Sequence, residues 1–93
     1  MKLNERFGVC GEVVAREMGG ETVLLDLNSG LYFGLDPVGG RIWELLSEAP
    51  RTIAELCDAI EAEFDAPRAT IEGDLLALAA QLSEKELIVA EAG

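Results

Sequence analysis

Cys10 and Cys57, the hydroxyls of Ser29, Ser47 and Ser83, and the carboxylates of Glu61, Glu63 and Asp65 are the side chains of this sequence whose types carry chemistry. A nucleophile needs a base within hydrogen-bond reach, and nothing in the sequence supplies one. Histidine, the commonest general base and metal ligand, is absent. Two isolated cysteines without histidine do not make a zinc site. Glu61, Glu63 and Asp65 are spaced so that they scatter around a helix, which reads as a solvated face rather than a metal patch. The glycine pairs Gly19-Gly20 and Gly39-Gly40 lack the spacing and partners of a phosphate-binding loop. No catalytic residue, metal or cofactor is expected. The reading is a binding module, not an enzyme.

The charge balance narrows the partner. Seven basic residues face eighteen acidic ones, a formal net charge of −11. Nucleic-acid affinity rests largely on lysine and arginine displacing counterions from phosphates, so neither a nucleic acid nor an anionic membrane is expected. The third helix of the helix-turn-helix outline described below has Arg68 at its start and Lys85 at its end, and little between them to read bases. A basic peptide or a basic protein face suits the surface better. The start, MKLNERFGV, has no apolar signal core and no run of about 20 apolar residues exists, so a cytoplasmic protein is expected. Cys10 and Cys57 fit a reducing compartment and read as small hydrophobes in or near the core.

The elements that would position a binding site are legible in the 93 residues, enough for one domain that buries roughly 60–65% of its unfolded surface. Residues 1–10 show no periodicity and are expected to form a loose N-terminal arm. Glu12–Glu17, Thr22–Leu27 and Leu31–Leu35 read as a three-stranded antiparallel meander, turning at Gly19-Gly20 and at Asn28-Ser29-Gly30. Val23, Leu25 and Leu27 share one face by alternation, as do Leu31, Phe33 and Leu35, and both faces are expected to cover the core. Asp36-Pro37 is a helix N-cap with proline at the first helical position.

Three helices follow. The first spans about Pro37 to Ser47, with Val38, Ile42, Leu45 and Leu46 at helical spacing and Trp43 beside them. Gly39-Gly40 inside it costs roughly 1 kcal/mol each relative to alanine, which points to a close approach by another backbone or to a frayed first turn. Thr52-Ile53-Ala54-Glu55 is a capping box that opens the second helix, which runs to about Phe64 with Ile53, Leu56, Ile60 and Phe64 on its buried stripe. The third runs from about Pro67 to Glu84 or Lys85, with Ile71, Leu75, Leu78 and Leu82 on one stripe. Leu76, Ala77, Ala79 and Ala80 add apolar surface outside it, Leu76 and Ala80 lying roughly 120–160° from its centre. Such a helix is expected to bury two sides. Leu87-Ile88-Val89 reads as a closing strand or a tail that packs back. The fold class is α+β, a three-stranded meander followed by three helices, winged helix-turn-helix-like.

In order along the chain, Gly30, Tyr32, Leu35 and Asp36; Val38, Gly39, Ile42, Trp43, Glu44, Leu45 and Leu46; Pro50, Thr52, Glu55 and Leu56; and Asp74, Leu75, Leu78 and Leu82 resemble the PqqD-like proteins, over about Glu12 to Ile88. The resemblance implies one peptide-recognition domain over 1–93 that binds the leader segment of a ribosomally synthesised, post-translationally modified peptide. The leader would add as a strand beside the third strand of the meander, in the groove facing the third helix, and be presented to a modifying enzyme or leader protease. Carried over position by position, it implies peptide binding by Leu31, Tyr32, Phe33, Gly34, Asp74, Leu75, Leu78, Ala79 and Leu82. Asp74 would pair with a basic leader residue or serve only its own helix dipole. Proteins of pyrroloquinoline quinone synthesis tend to carry a proline-containing segment ending in glutamate where this chain has Asp26-Leu27-Asn28-Ser29-Gly30. The wording here is more similar to stand-alone relatives, including those paired with lasso-peptide leader proteases. A radical-SAM enzyme or a lasso leader protease with its cyclase is the kind of partner implied.

Two readings stand at this point. In one, Leu31–Leu35 is an open edge strand beside a doubly apolar helix, awaiting a guest peptide, in a monomer or weak homodimer. In the other, the extra apolar surface builds a homodimeric structural or regulatory module that binds no leader. 

Overall fold

A computed structural model describes residues 2–91. Six strands and three helices follow in the order β1 (Arg6–Val9), β2 (Val13–Met18), β3 (Glu21–Asp26), β4 (Tyr32–Leu35), α1 (Pro37–Glu48), β5 (Arg51–Thr52), α2 (Ile53–Glu63), α3 (Arg68–Glu84) and β6 (Ile88–Glu91). The strands make two antiparallel three-stranded sheets, β2-β3-β4 and β5-β1-β6. The architecture is α+β and winged helix-turn-helix-like, with the three helices after the β2-β3-β4 meander.

The expected loose arm over 1–10 is corrected by the first of these strands. Residues 6–9 pair with Arg51-Thr52 on one side and with Ile88–Glu91 on the other, and Phe7 is buried. Gly8 belongs to this packing, because a Cβ there would press on the Glu91 carboxylate at 2.8 Å. Residues 6–9 and 88–91 thus close a small sheet with the Arg51-Thr52 link between α1 and α2.

The meander forms for local reasons. Gly19 and Gly20, with φ of 62° and 87°, make the two-residue turn between β2 and β3, a conformation that favours glycine. The β3–β4 turn is organised by Asp26, whose carboxylate accepts from the Asn28 N–H and the Ser29 hydroxyl, both at 2.9 Å. The Gly30 N–H donates to the Asp26 carbonyl at 2.7 Å. Register then places Leu24 opposite Phe33 and Thr22 opposite Leu35.

That register corrects the expected face of β3. Leu24 is fully buried, while Val23 and Leu25 lie on the opposite face and Leu27 is exposed. On β4, Leu35 is buried and Phe33 packs against the core, whereas Leu31 is exposed. The choice is made by α1. A Cβ at Gly40 would collide with the Thr22 hydroxyl, so the close approach at Gly40 is by a side chain on the core-facing side of β3 rather than by another backbone.

Helices α1 and α2 begin where their caps dictate. The Gly39 N–H donates to Asp36 Oδ1 at 2.7 Å. In α2 the Glu55 N–H donates to Thr52 Oγ1 at 3.0 Å, and the Thr52 N–H donates to Glu55 Oε1 at 2.8 Å. Trp43, Leu46, Leu56, Ile60, Leu75 and Leu82 fill the core between the helices. After α3 the Glu86 N–H donates to the Ser83 carbonyl and the Leu87 N–H to the Leu82 carbonyl. This is a Schellman turn with glutamate, at φ 60°, where glycine is usual.

Candidate functional site: an open strand edge beside a helix

β4 bonds to β3 and, among the described residues, to no other strand. The Asp26 N–H donates to the Leu31 carbonyl at 3.0 Å. Bonded and non-bonded pairs alternate in an antiparallel ladder, so the backbone groups of Phe33 and Leu35 face β3. Those of Tyr32 and Gly34 face the open edge. Two N–H groups and two carbonyls therefore stand ready for a further strand.

α3 walls this edge. A cavity of about 440 Å3 lies between them, lined from β4 by Phe33, Gly34 and Leu35 and from α3 by Thr70, Ile71, Asp74, Leu75, Leu78 and Gln81. Val38, Ile42, Ile60 and Phe64 floor it. A second cavity of about 530 Å3 continues at the other end of β4, lined by Leu31, Tyr32, Phe33, Lys85, Leu87 and the Asp26-centred turn. Phe33 belongs to both, and the Lys85 ammonium stands over its ring, 5.5 Å from the centroid.

The residues singled out from the sequence divide accordingly. Phe33, Gly34, Asp74, Leu75 and Leu78 line the first cavity. Leu31 and Tyr32 reach the second, with 67% and 72% of their surface exposed. Ala79 and Leu82 are buried in the core, 4% and 1% exposed, and line neither cavity. Leu76, Ala77 and Ala80, expected to give α3 a second buried side, also line neither cavity. Ala77 and Ala80 are exposed, and Leu76 packs at the margin of the core.

Thr70 and Gln81 line the first cavity and Lys85 the second, and the sequence marks none of the three as a peptide contact. Their signal is positional, because 70, 74, 78, 81 and 85 follow one another at the three- and four-residue steps of a single helical line. Val38, Ile60 and Phe64 line the cavity from other elements, a proximity that only tertiary packing creates.

Neither cysteine lines either cavity. Cys10 donates its S–H to the Glu86 carbonyl at 3.0 Å, and burial with the nearby Glu86 charge pushes its thiol pKa up. Burial likewise raises that of Cys57, outweighing the opposing pull of Arg68. Both free cysteines are held toward the unreactive thiol form. Among the described residues no group of three or more His, Cys, Asp or Glu side chains gathers to hold a metal ion. No helix there is long and apolar enough to cross a membrane.

Comparisons with known proteins fit this geometry. A family model described as coenzyme PQQ synthesis protein D matches residues 21–88. Two solved structures superpose closely. One, described as TbiB1 in complex with the TbiA(beta) leader peptide, is 43% identical, covers 92% of this chain and 99% of its own, and has a TM-score of 0.78. The other, described as lasso peptide synthetase B1 complexed with the leader peptide, is 25% identical, covers 89% and 96%, and has a TM-score of 0.75. No curated protein matches the chain.

Proposed function

The chain belongs to the PqqD family, and we propose that it binds the leader segment of a ribosomally synthesised precursor peptide by strand addition along β4, then presents that peptide to a modifying enzyme or leader protease. The observation that carries this reading is the open edge itself. Tyr32 and Gly34 turn their backbone groups toward a groove that α3 walls and apolar side chains floor. Main-chain hydrogen bonds would give affinity and the two cavities would give side-chain selectivity. The two superposable neighbours, each described with a leader peptide bound, support the assignment and favour lasso-peptide synthesis as the pathway class. On this reading the domain is a non-catalytic cytoplasmic adaptor. The peptide-contacting set is Leu31, Tyr32, Phe33, Gly34, Asp74, Leu75 and Leu78, with Ala79 and Leu82 supporting the groove from beneath.

Titration with leader peptides encoded beside the gene, and with the TbiA(beta) leader, tests it. Saturable binding in the micromolar range or tighter is expected, with amide shifts in NMR spectra concentrated at residues 32–35. Absence of binding to every such peptide overturns it. The exposed Leu31 and Tyr32 beside an open edge favour a second reading, edge-to-edge pairing of two copies. Sedimentation separates the two: a stable dimer indifferent to peptide supports pairing, and a monomer that takes up peptide supports the adaptor.

A further inference from the structure

The groove-facing line of α3 is polar at both ends and apolar in the middle: Thr70 and Asp74, then Leu78, then Gln81 and Lys85. Its two charges are not among those tied up in ion pairs. Arg6, Arg41, Arg51 and Arg68 are held in ion pairs, Arg68 with Asp58, Glu61 and Glu72 together. Asp74 and Lys85 are exposed and, among the described residues, take part in no ion pair or side-chain hydrogen bond. They also stand in different cavities. The first holds Asp74 and Asp36, but Asp36 already accepts from the Gly39 N–H and sits at the positive end of α1. The second holds Lys85, among the described residues the only cation lining either cavity, with Asp26 and Glu86. Asp26 is occupied by its turn, and the Glu86 charge lies near Cys10.

Resting on the strand-addition reading, we propose that Asp74 and Lys85 form a pair of charge-reading subsites, which select a guest peptide with a basic residue at one end of its paired segment and an acidic residue at the other. Eleven helical steps separate the two, about 16 Å along the axis. An extended peptide covers that distance in about five residues, and side chains sharing one face alternate, so the two charges fall four or six positions apart. Direction follows as well. β4 runs from the Lys85 cavity toward the Asp74 cavity, both sheets are antiparallel, and an antiparallel guest therefore enters with its N-terminal end at Asp74. The basic residue precedes the acidic one.

The test is selection of a displayed library of random twelve-residue peptides on the full-length protein, on the neutral pair Asp74→Asn with Lys85→Gln, and on the exchanged pair Asp74→Lys with Lys85→Glu. Circular dichroism checks that each variant folds. On the wild type, Lys or Arg preceding Asp or Glu by four or six positions is expected to outnumber the reverse order by about tenfold, the scale of two exposed ion pairs made rather than opposed. The exchanged pair inverts the preference, the neutral pair abolishes it, and 1 M salt erodes it. Lys85 acting only on its own helix dipole would leave peptide charge order untouched. Strand-forming peptides selected without charge order, or with an order the exchange does not invert, overturn this inference and leave strand addition standing. Selection of no peptide at all overturns both.

Discussion

Replacing Gly34 by proline separates strand addition along β4 from every other way of using the groove. The alternation of the ladder directs the Gly34 N–H away from β3 and toward the open edge, so proline removes a donor offered to the guest and none used by the fold. Edge strands tolerate proline at such a position, and Phe33 before it is already extended. Tyr32 and Gly34 together offer four main-chain bonds, each contributing about 0.5–1.5 kcal/mol net. Losing one and leaving a guest carbonyl unpaired costs about 1–3 kcal/mol, which weakens Kd by about 5- to 150-fold. Gly34→Ala is the control. Its φ is not in the left-handed region and an added Cβ would meet nothing within 4 Å, so the N–H is kept and affinity should change little. Calorimetric titration with the leader peptide, alongside thermal melts of all three proteins, measures both sides. A folded Gly34→Pro protein that binds as tightly as wild type would refute pairing at this edge.

Three predictions concern the scaffold. Gly40→Ala forces a methyl group onto the Thr22 hydroxyl and should destabilise by about 1–3 kcal/mol, read as a lower Tm. Combining it with Thr22→Ala should recover much of the loss. Glu86→Gly removes a left-handed, non-glycine residue from the turn after α3 and should stabilise by about 1 kcal/mol in denaturant unfolding. The Glu55 carboxyl is held below the usual carboxylate range, first by the Thr52 N–H, then by the Thr52 hydroxyl and by Arg6 and Arg51. A depressed carboxylate contributes stability that is complete above about pH 5 and is lost as pH falls through its lowered value. Glu55→Gln should therefore flatten the acid limb of the stability–pH profile and leave its neutral region parallel to wild type.

What the sequence makes legible is what is local. Asp36-Pro37, the Thr52–Glu55 box and the Gly19-Gly20 turn are each complete within a few residues, and all three form as read. β1 escapes notice because its two partners lie about 45 and 80 residues away in sequence and its two buried residues are adjacent rather than alternating. The face of β3 is misread for a related reason. Thr22-Val23-Leu24-Leu25-Asp26-Leu27 offers aliphatic groups to both sides, and the side that is buried is the one packed into the shared core, where Leu24 sits and Gly40 meets Thr22. On α3, apolarity alone marks Leu76 and Ala80 as a second buried side, whereas the groove is lined by the more polar line through Asp74 and Gln81. Alanine and leucine reveal that a surface can be buried, and not which neighbour will bury it.

A strand with an open edge invites pairing with its own kind, and the features that restrain this here are those that would favour the proposed guest. Any incoming strand must fit between β4 and α3, passing Asp74 in a molecule of net charge −11; a second copy meets repulsion there and a basic peptide does not. Both ends of the strand are also fixed before binding. The Asp26 carboxylate holds the turn that enters it, and Asp36, the next residue after it, caps α1 with a 2.7 Å hydrogen bond. A guest adding there would order itself against an edge already in position, and the entropy lost on pairing would fall on one partner rather than two. Loosening either anchor, by Asp26→Ala or Asp36→Ala, should thus weaken peptide binding even though neither carboxylate need touch the peptide.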